Sequence, residues 1–385
     1  MELLFWISSL IVLYIYLGYP LLLKALPKLT VPPANENAST LSDADLPRVT
    51  VLIPAFNESS VIEATIRNKL EQNYPGEHLQ IIVISDESED GTDDLVLALA
   101  QQDLRISLIR QSPRQGKTSG LNLAMPHATG DIVVFSDANS HYHADAIRNL
   151  VQCFTDPNVG YATGKMVYVN SEGSIVGDGC SAYMKYENHM RALETQISSV
   201  VGVDGGIDAI RKELYQPMNA DQLPDFVLPL KVVTQGKRVV YCETALLNEE
   251  SLSSSQTEFR MRVRVSLRAY WAMLDMKHLF NPFTYGIFSL QLTSHKLLRY
   301  LAFVPLLATF ISNGFITGNS SFYSFTFLIQ ILFYGAAIFV SLNEGTKNRW
   351  LGLAHYFCLI NIASAMAFIK FIKGEKIVLW KPRAG

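Results

Sequence analysis

Hydrophobic positions along the chain follow two different rhythms. Residues 3–23, LLFWISSLIVLYIYLGYPLLL, run apolar without a charge, and three further apolar runs stand at about 300–317, 322–342 and 350–369. A helix of about 20 such residues matches a hydrocarbon core of ~30 Å, so each run predicts a membrane span. From 48 to about 250 the pattern changes to short β-branched runs, RVTVLIP, LQIIVIS, RISLIR, DIVVFS, VGYATGKMVYV and RVVYC, separated by helical stretches. That alternation predicts an α/β fold of βαβ units around a largely parallel sheet. Ser60 with Glu63 predicts a capping box at the first helix, and Thr92 a cap at the second, with Asp93 and Asp94 on the helix dipole. No repeat of solenoid period is present.

The order of segments is then an N-terminal anchor (1–26), a polar linker (27–47), an α/β domain (48–255), amphipathic interfacial helices (256–297), a C-terminal membrane bundle (298–372) and a tail (373–385). The interfacial reading rests on the interleaving of basic and aromatic residues from 256 onward. Glu2 precedes the first span while Lys24 and Lys28 follow it. The positive-inside rule therefore puts the N-terminus outside and the α/β domain in the cytoplasm, as in a multi-pass protein of the inner (plasma) membrane. The uncharged GNSS loop suits the outside, and the loop with Lys347 and Arg349 the inside. Three full C-terminal spans would export the tail, whereas Lys370, Lys373, Lys376, Lys381 and Arg383 argue that it stays inside. Either one run is re-entrant or the tail breaks the rule.

Composition narrows the partners. A mean hydropathy of +0.17 over 385 residues fits a chain partly in lipid. The net charge of −3 supplies no basic field for a nucleic-acid backbone. Four scattered cysteines form neither a disulfide framework nor a zinc spacing. The predicted spans carry too few charges for a transporter's polar path.

Ligands of open α/β sheets bind at the carboxyl ends of strands, so the residues after each strand matter most. Here they read VLIPAFNE, ISDESEDGT and FSDANS. Asp86 and Asp137 converge from these ends, joined by the amide oxygen of Asn139. Hard oxygen ligands suit Mg²⁺ or Mn²⁺, which would neutralise a diphosphate leaving group. Gly116-Lys117-Thr118 ends like a nucleotide-binding P-loop, but Gln111 stands where its first glycine is required. His141 and His143 lack a third zinc ligand.

VLIPAFNE, the aspartate of ISDESEDGT, GKTSGLNLA and FSDANS occur in the order of the family 2 inverting glycosyltransferases, and the resemblance continues through GVDGGIDAIRKELY and LPDFVLPLKVV. It covers roughly residues 48–300 and looks closest to the membrane synthases of hyaluronan, cellulose and poly-N-acetylglucosamine. The resemblance implies a GT-A fold, with Pro54, Ala55, Glu58 and Asp86 around the nucleotide and Lys117 near the nucleotide-sugar. It implies Asp137 and Asn139 in place of a metal-binding D-x-D, and Asp225 as catalytic base. Asn139 departs from the second aspartate of that motif. The Q-x-x-R-W of processive members is replaced by EFRMRVR, whose Arg260, Arg262 and Arg264 offer bidentate phosphate donors; Arg260 and Arg264 join the expected donor site.

Gly205 and Gly206 lack bulky side chains and are expected to let backbone approach an acceptor sugar. The expected activity is metal-dependent, inverting transfer from a nucleotide-sugar, a UDP-sugar, to a growing cell-surface polysaccharide. Single transfer to a lipid-linked acceptor is the alternative within the class. An inactive sugar-nucleotide-binding subunit of an exporter is a third reading, opposed by the joint presence of Asp86, Asp137 and Asp225.

Overall fold

Strands covered on both faces need near-continuous apolar sequence, and β1 (Val49–Ala55) is buried throughout while β2 (Leu79–Ser85) leaves only Gln80 part-exposed. In the computed structural model these two pair in parallel from Val49↔Leu79 to Ala55↔Ser85. β3 (Ile106–Arg110) adds in parallel to β2, and β4 (Ile132–Ser136) to the other side of β1. The sheet continues through β5 (His141–Tyr142), β6 (Val159–Val169), β7 (Ile207–Arg211) and β8 (Arg238–Glu250) in the order β3-β2-β1-β4-β7-β6-β8-β5. β4–β7, β6–β7 and β5–β8 are antiparallel. The fold is thus a mixed α/β sheet whose β1–β4 half is parallel. The six expected strands are present, with RVVYC extended to Glu250, while β5 and β7 had not been read as strands.

The structure describes residues 1–29, 42–169, 175–250, 254–343, 346 and 348–379. Most of the expected linker, together with Lys347, Lys381 and Arg383, lies outside them. By contact the chain divides into two units. One holds the sheet, with residues 28–167, 194–249 and the tail from Lys376. The other holds Met1–Pro27, Tyr168–Leu193 and Glu250–Glu375.

Two helix starts differ from expectation. The helix Ile62–Leu70 has Val61 as N-cap with no side-chain cap. The Glu58 carbonyl accepts from Val61 and Ile62, the helix starts after Val61 rather than after Ser60, and the Glu63 side chain pairs with Arg67 at 2.8 Å instead of reaching back to Ser60. Thr92 is the first residue of its helix rather than the cap. Its N–H and hydroxyl both donate to Asp90, whose pKa falls to about 2 because these bonds and those from Ser59 outweigh the opposing effect of burial.

In the apolar unit, Glu2–Ala25, Ser321–Leu342 and Arg349–Ile372 are long and apolar enough to cross a membrane. The run expected at 300–317 is the second arm of a helix pair, Ile287–Tyr300 and Phe303–Ile316, bent by 57°. The N-terminal helix lies along both arms: Glu2 accepts from Asn319 at 2.7 Å, Ser8 from Thr309 at 2.9 Å, and Tyr14 meets Ser294 at 2.8 Å. The helix Ser255–Asp275 runs parallel to Arg349–Ile372, with contacts from Ser255–His355 through Glu258–Tyr356 to Tyr270–Ser364.

Candidate active site

Four loops at the carboxyl edge of the parallel strands build the site. Pro54, which cannot donate to a ladder, stands beyond the last β1–β4 pair, Leu52↔Phe135. The Ala55 carbonyl accepts from the Asp86 N–H at 2.8 Å, tying the end of β1 to that of β2. Asn57 and Glu87, the residues after these ends, both take positive φ (54° and 63°), an uncommon conformation for side-chain-bearing residues. It is fixed by reciprocal bonds: Asn57 N–H donates to Ser88 Oγ, and Glu89 N–H to Asn57 Oδ1. The half-buried Glu58 joins the same lattice through its N–H on Thr92 Oγ1.

Asp86 is buried, and its two oxygens accept from the backbone N–H groups of Gln115 (2.9 Å) and Gly116 (3.0 and 3.1 Å), from Arg114 (3.1 Å) and from Gln111. The carboxylate therefore organises the loop 111–116, and Arg114 in turn lies over the Phe56 ring. This loop delivers Lys117 as the first residue of the helix Lys117–Ala124.

Lys117 is the centre of the charged group. Its ammonium lies 2.8 Å from Asp137 Oδ1 and 3.6 Å from Asp225 Oδ1. Burial works against the charge, but Asp137 and Asp225 outweigh it and hold the Lys117 pKa above its ordinary value. Asp137 follows β4 on a loop braced from below: Thr65 donates to the Ala138 carbonyl at 2.6 Å and Lys69 to the Ser140 carbonyl at 2.6 Å. Ala138 and Ser140 are buried while Asp137 and Asn139 remain part-exposed. Lys69 is fully buried over the Tyr142 ring, and burial pushes its pKa well below the usual lysine range.

Asp225 sits in the first turn of the helix Pro224–Thr234. Gly205, at φ +81°, has no room for a side chain: a Cβ there would meet the Asp225 carboxylate at 2.2–2.7 Å. Gly206 is buried under Leu247 and Met166, and its carbonyl accepts from Tyr142. One glycine thus makes room for Asp225 and the other packs inside.

Asp208 is the residue that sequence reasoning missed. It stands on β7, fully buried, and accepts from the Tyr161 hydroxyl and the Gly205 N–H, both at 3.0 Å. Burial, reinforced by Asp225 and Asp204, raises its pKa to about 7 against hydrogen bonds that lower it. Its signal was present in GVDGGIDAIR as an acidic residue amid a β-branched run, the pattern of a buried carboxylate.

Asp137 and Asp225 thus share one lysine, two carboxylates against one ammonium, a balance that suits a divalent cation. Among the described residues no protein hydrogen bond occupies the Asn139 side chain, leaving its amide oxygen available beside Asp137. No group of three His, Cys, Asp or Glu side chains forms a metal cage among the described residues. A cation held by Asp137 and Asn139 would need further oxygens from a ligand, as a diphosphate provides. Arg260 and Arg264 stand on the helix Ser255–Asp275 of the other unit, Arg260 exposed and Arg264 half-buried. A cavity of about 580 Å³ opens at the opposite edge of the sheet beside Pro47, Ile132 and Arg211, and holds none of the expected site residues.

Comparison with known proteins agrees with this geometry. Residues 50–215 match the family described as glycosyl transferase family 2. The probable glycosyltransferase YdaM of Bacillus subtilis is 29% identical over 234 residues, 57% of this chain and 54% of its own length. The beta-monoglucosyldiacylglycerol synthase of Synechocystis is 28% identical over 49% of this chain and 38% of its own. The poly-beta-1,6-N-acetyl-D-glucosamine synthase of Staphylococcus aureus is 33% identical over 34% and 32%. The chain spans about half or less of the length of these relatives. The mannosyltransferase PcManGT from Pyrobaculum calidifontis, solved with GDP-Man and Mn²⁺, shares the fold at a TM-score of 0.70, covering 97% of this chain and 99% of that one at 21% identity. Residues 50–215 are therefore a glycosyltransferase family 2 domain built on a GT-A fold.

Proposed function

We propose that this chain is a membrane-associated, inverting glycosyltransferase that moves a sugar from a nucleotide-sugar, a UDP-sugar, to a growing polysaccharide. The observation that carries the reading is the Lys117 bridge between Asp137 and Asp225, inside a family 2 domain. Asp225 is the base: it takes the proton of an acceptor hydroxyl, whose oxygen then bonds to the anomeric carbon as the nucleoside diphosphate leaves from the opposite face. A divalent cation, Mg²⁺ or Mn²⁺, at Asp137 and Asn139 would neutralise the departing diphosphate. Lys117 adds positive charge at the same place. Asp86 shapes the donor pocket through the 111–116 loop, with Pro54, Ala55 and Glu58 on its other wall.

A lipid-linked acceptor is the second reading. The glucosyldiacylglycerol synthase match covers 49% of this chain, against 34% for the polysaccharide synthase.

We assign the sheet unit to the cytoplasmic face of the inner (plasma) membrane. The chain leaves that unit at Glu249 and returns at Lys376, where Lys376 pairs with Asp221, so an even number of crossings must lie between. The bent pair and Ser321–Leu342 make two. Arg349–Ile372, packed along the arginine-bearing helix Ser255–Asp275, lies at the interface and does not cross.

Asp225→Asn tests the mechanism. A positioned base contributes about 10²–10⁴ in rate, so transfer falls by that order while calorimetric donor affinity is kept. Near-parental transfer would refute the base, since asparagine caps a helix about as well as aspartate.

A further inference from the structure

The apolar unit contains a charged cavity of about 60 Å³, several times what a single water requires. Its floor is Glu187, 3% exposed, on the helix Ile175–Ile197. Three groups from the first arm of the bent pair converge on that one carboxylate: Arg299 by a hydrogen bond, His295 Nε2 at 3.3 Å and Lys296 Nζ at 3.8 Å. Arg262 enters from a different helix, with Glu258 on its Nε at 2.7 Å. The Arg262 and Arg299 guanidiniums both lie over the Tyr183 ring, at 4.9 and 5.1 Å, so the two forks share one locus. Around the cavity three cations, Arg262, Lys296 and Arg299, face two carboxylates, Glu187 and Glu258. Charge buried among apolar helices is costly without a counter-ion, and forked guanidiniums beside an ammonium match the oxygens of a phosphate.

We propose that this cavity is a phosphate-binding site for a membrane lipid, holding the headgroup phosphate between Arg262, Lys296 and Arg299. A lipid is the source because Tyr16 and Asn361, which line the cavity, stand on two helices long and apolar enough to cross a membrane. The site does not depend on the sugar-transfer reading, and binding alone tests it.

The full chain is reconstituted in phosphatidylcholine nanodiscs doped with either phosphatidic acid or diacylglycerol, and bound lipid is counted by native mass spectrometry. Phosphatidic acid is expected to be retained at least about ten-fold over diacylglycerol, a difference of about 1.4 kcal/mol. Lys296→Gln, whose side chain reaches the cavity edge, should lose most of that preference with an unchanged melting temperature in neutral lipid. Arg299→Lys keeps the charge without the fork and should lose part of it. Equal retention of the two lipids, or a parental preference in both variants, overturns the site. Displacement of phosphatidic acid by millimolar inorganic phosphate overturns the lipid source, while failure to displace it supports a membrane ligand.

Discussion

The Asp225 carboxylate occupies the space that a side chain on Gly205 would need, with its Cγ 2.2 Å from where the Cβ would stand. Gly205→Ala must therefore push the carboxylate aside, and positive φ adds strain of its own. Transfer is expected to fall by about 10² or more, within the range of a misplaced base, while donor binding changes little. Steady-state kinetics with calorimetry on one preparation checks this, and parental turnover would show that Asp225 does not need its present position.

Lys117 engages Asp137 at 2.8 Å, so the expected metal ligand is already partly neutralised by protein. Lys117→Met removes that competitor and should tighten Mn²⁺ binding while lowering transfer. Chelation of divalent ions should abolish transfer in parent and variant alike, with Mg²⁺ or Mn²⁺ restoring the parent. Full turnover in excess chelator would remove the metal from the mechanism.

Asp208 predicts a pH-dependent stability. Its pKa is raised from 3.8 to about 7 in the folded protein. Between these values the folded state holds a proton that the unfolded state has lost. The contribution is complete below about pH 4, declines as pH rises to about 7 and is flat above, with an upper bound of about 4 kcal/mol. Asp208→Asn mimics the protonated form and should remove that slope. Denaturant melts at pH 5 and 8 measure it, and identical slopes in parent and variant would reject the assignment.

The membrane path predicts that Asn319 and Lys373 lie on opposite sides. Cys153, Cys180 and Cys242 are buried, so a Cys358→Ser background is nearly silent to thiol reagents. In intact spheroplasts, Asn319→Cys should react with an impermeant maleimide and Lys373→Cys only after lysis. Labelling of both in intact cells would mean that Arg349–Ile372 crosses.

The strands of the parallel half and the apolar helices follow from local sequence, because continuous β-branched runs and uncharged twenty-residue runs each fix burial without reference to partners. Asp86, Asp137 and Asp225 were legible for a related reason: the first two follow strands and the third opens a helix, at boundaries that the sequence marks. What pairs with them was not. The Lys117 bridge joins residues 20 and 108 positions apart, the Asp225 carboxylate finds its room at Gly205, and Asp208 gains its raised pKa from burial, with Asp225 and Asp204 adding to it. The capping box failed because the helix begins after Val61, one residue past Ser60, and the Glu63 side chain turns along the helix to Arg67. The Glu187 cavity is also invisible in sequence, since its cations come from two separate helices and no spacing rule links them. Sequence determined where strands, spans and acidic crests lie because those depend on neighbours along the chain; tertiary structure decided which charges meet, because contact across hundreds of residues is set by packing and desolvation rather than by order.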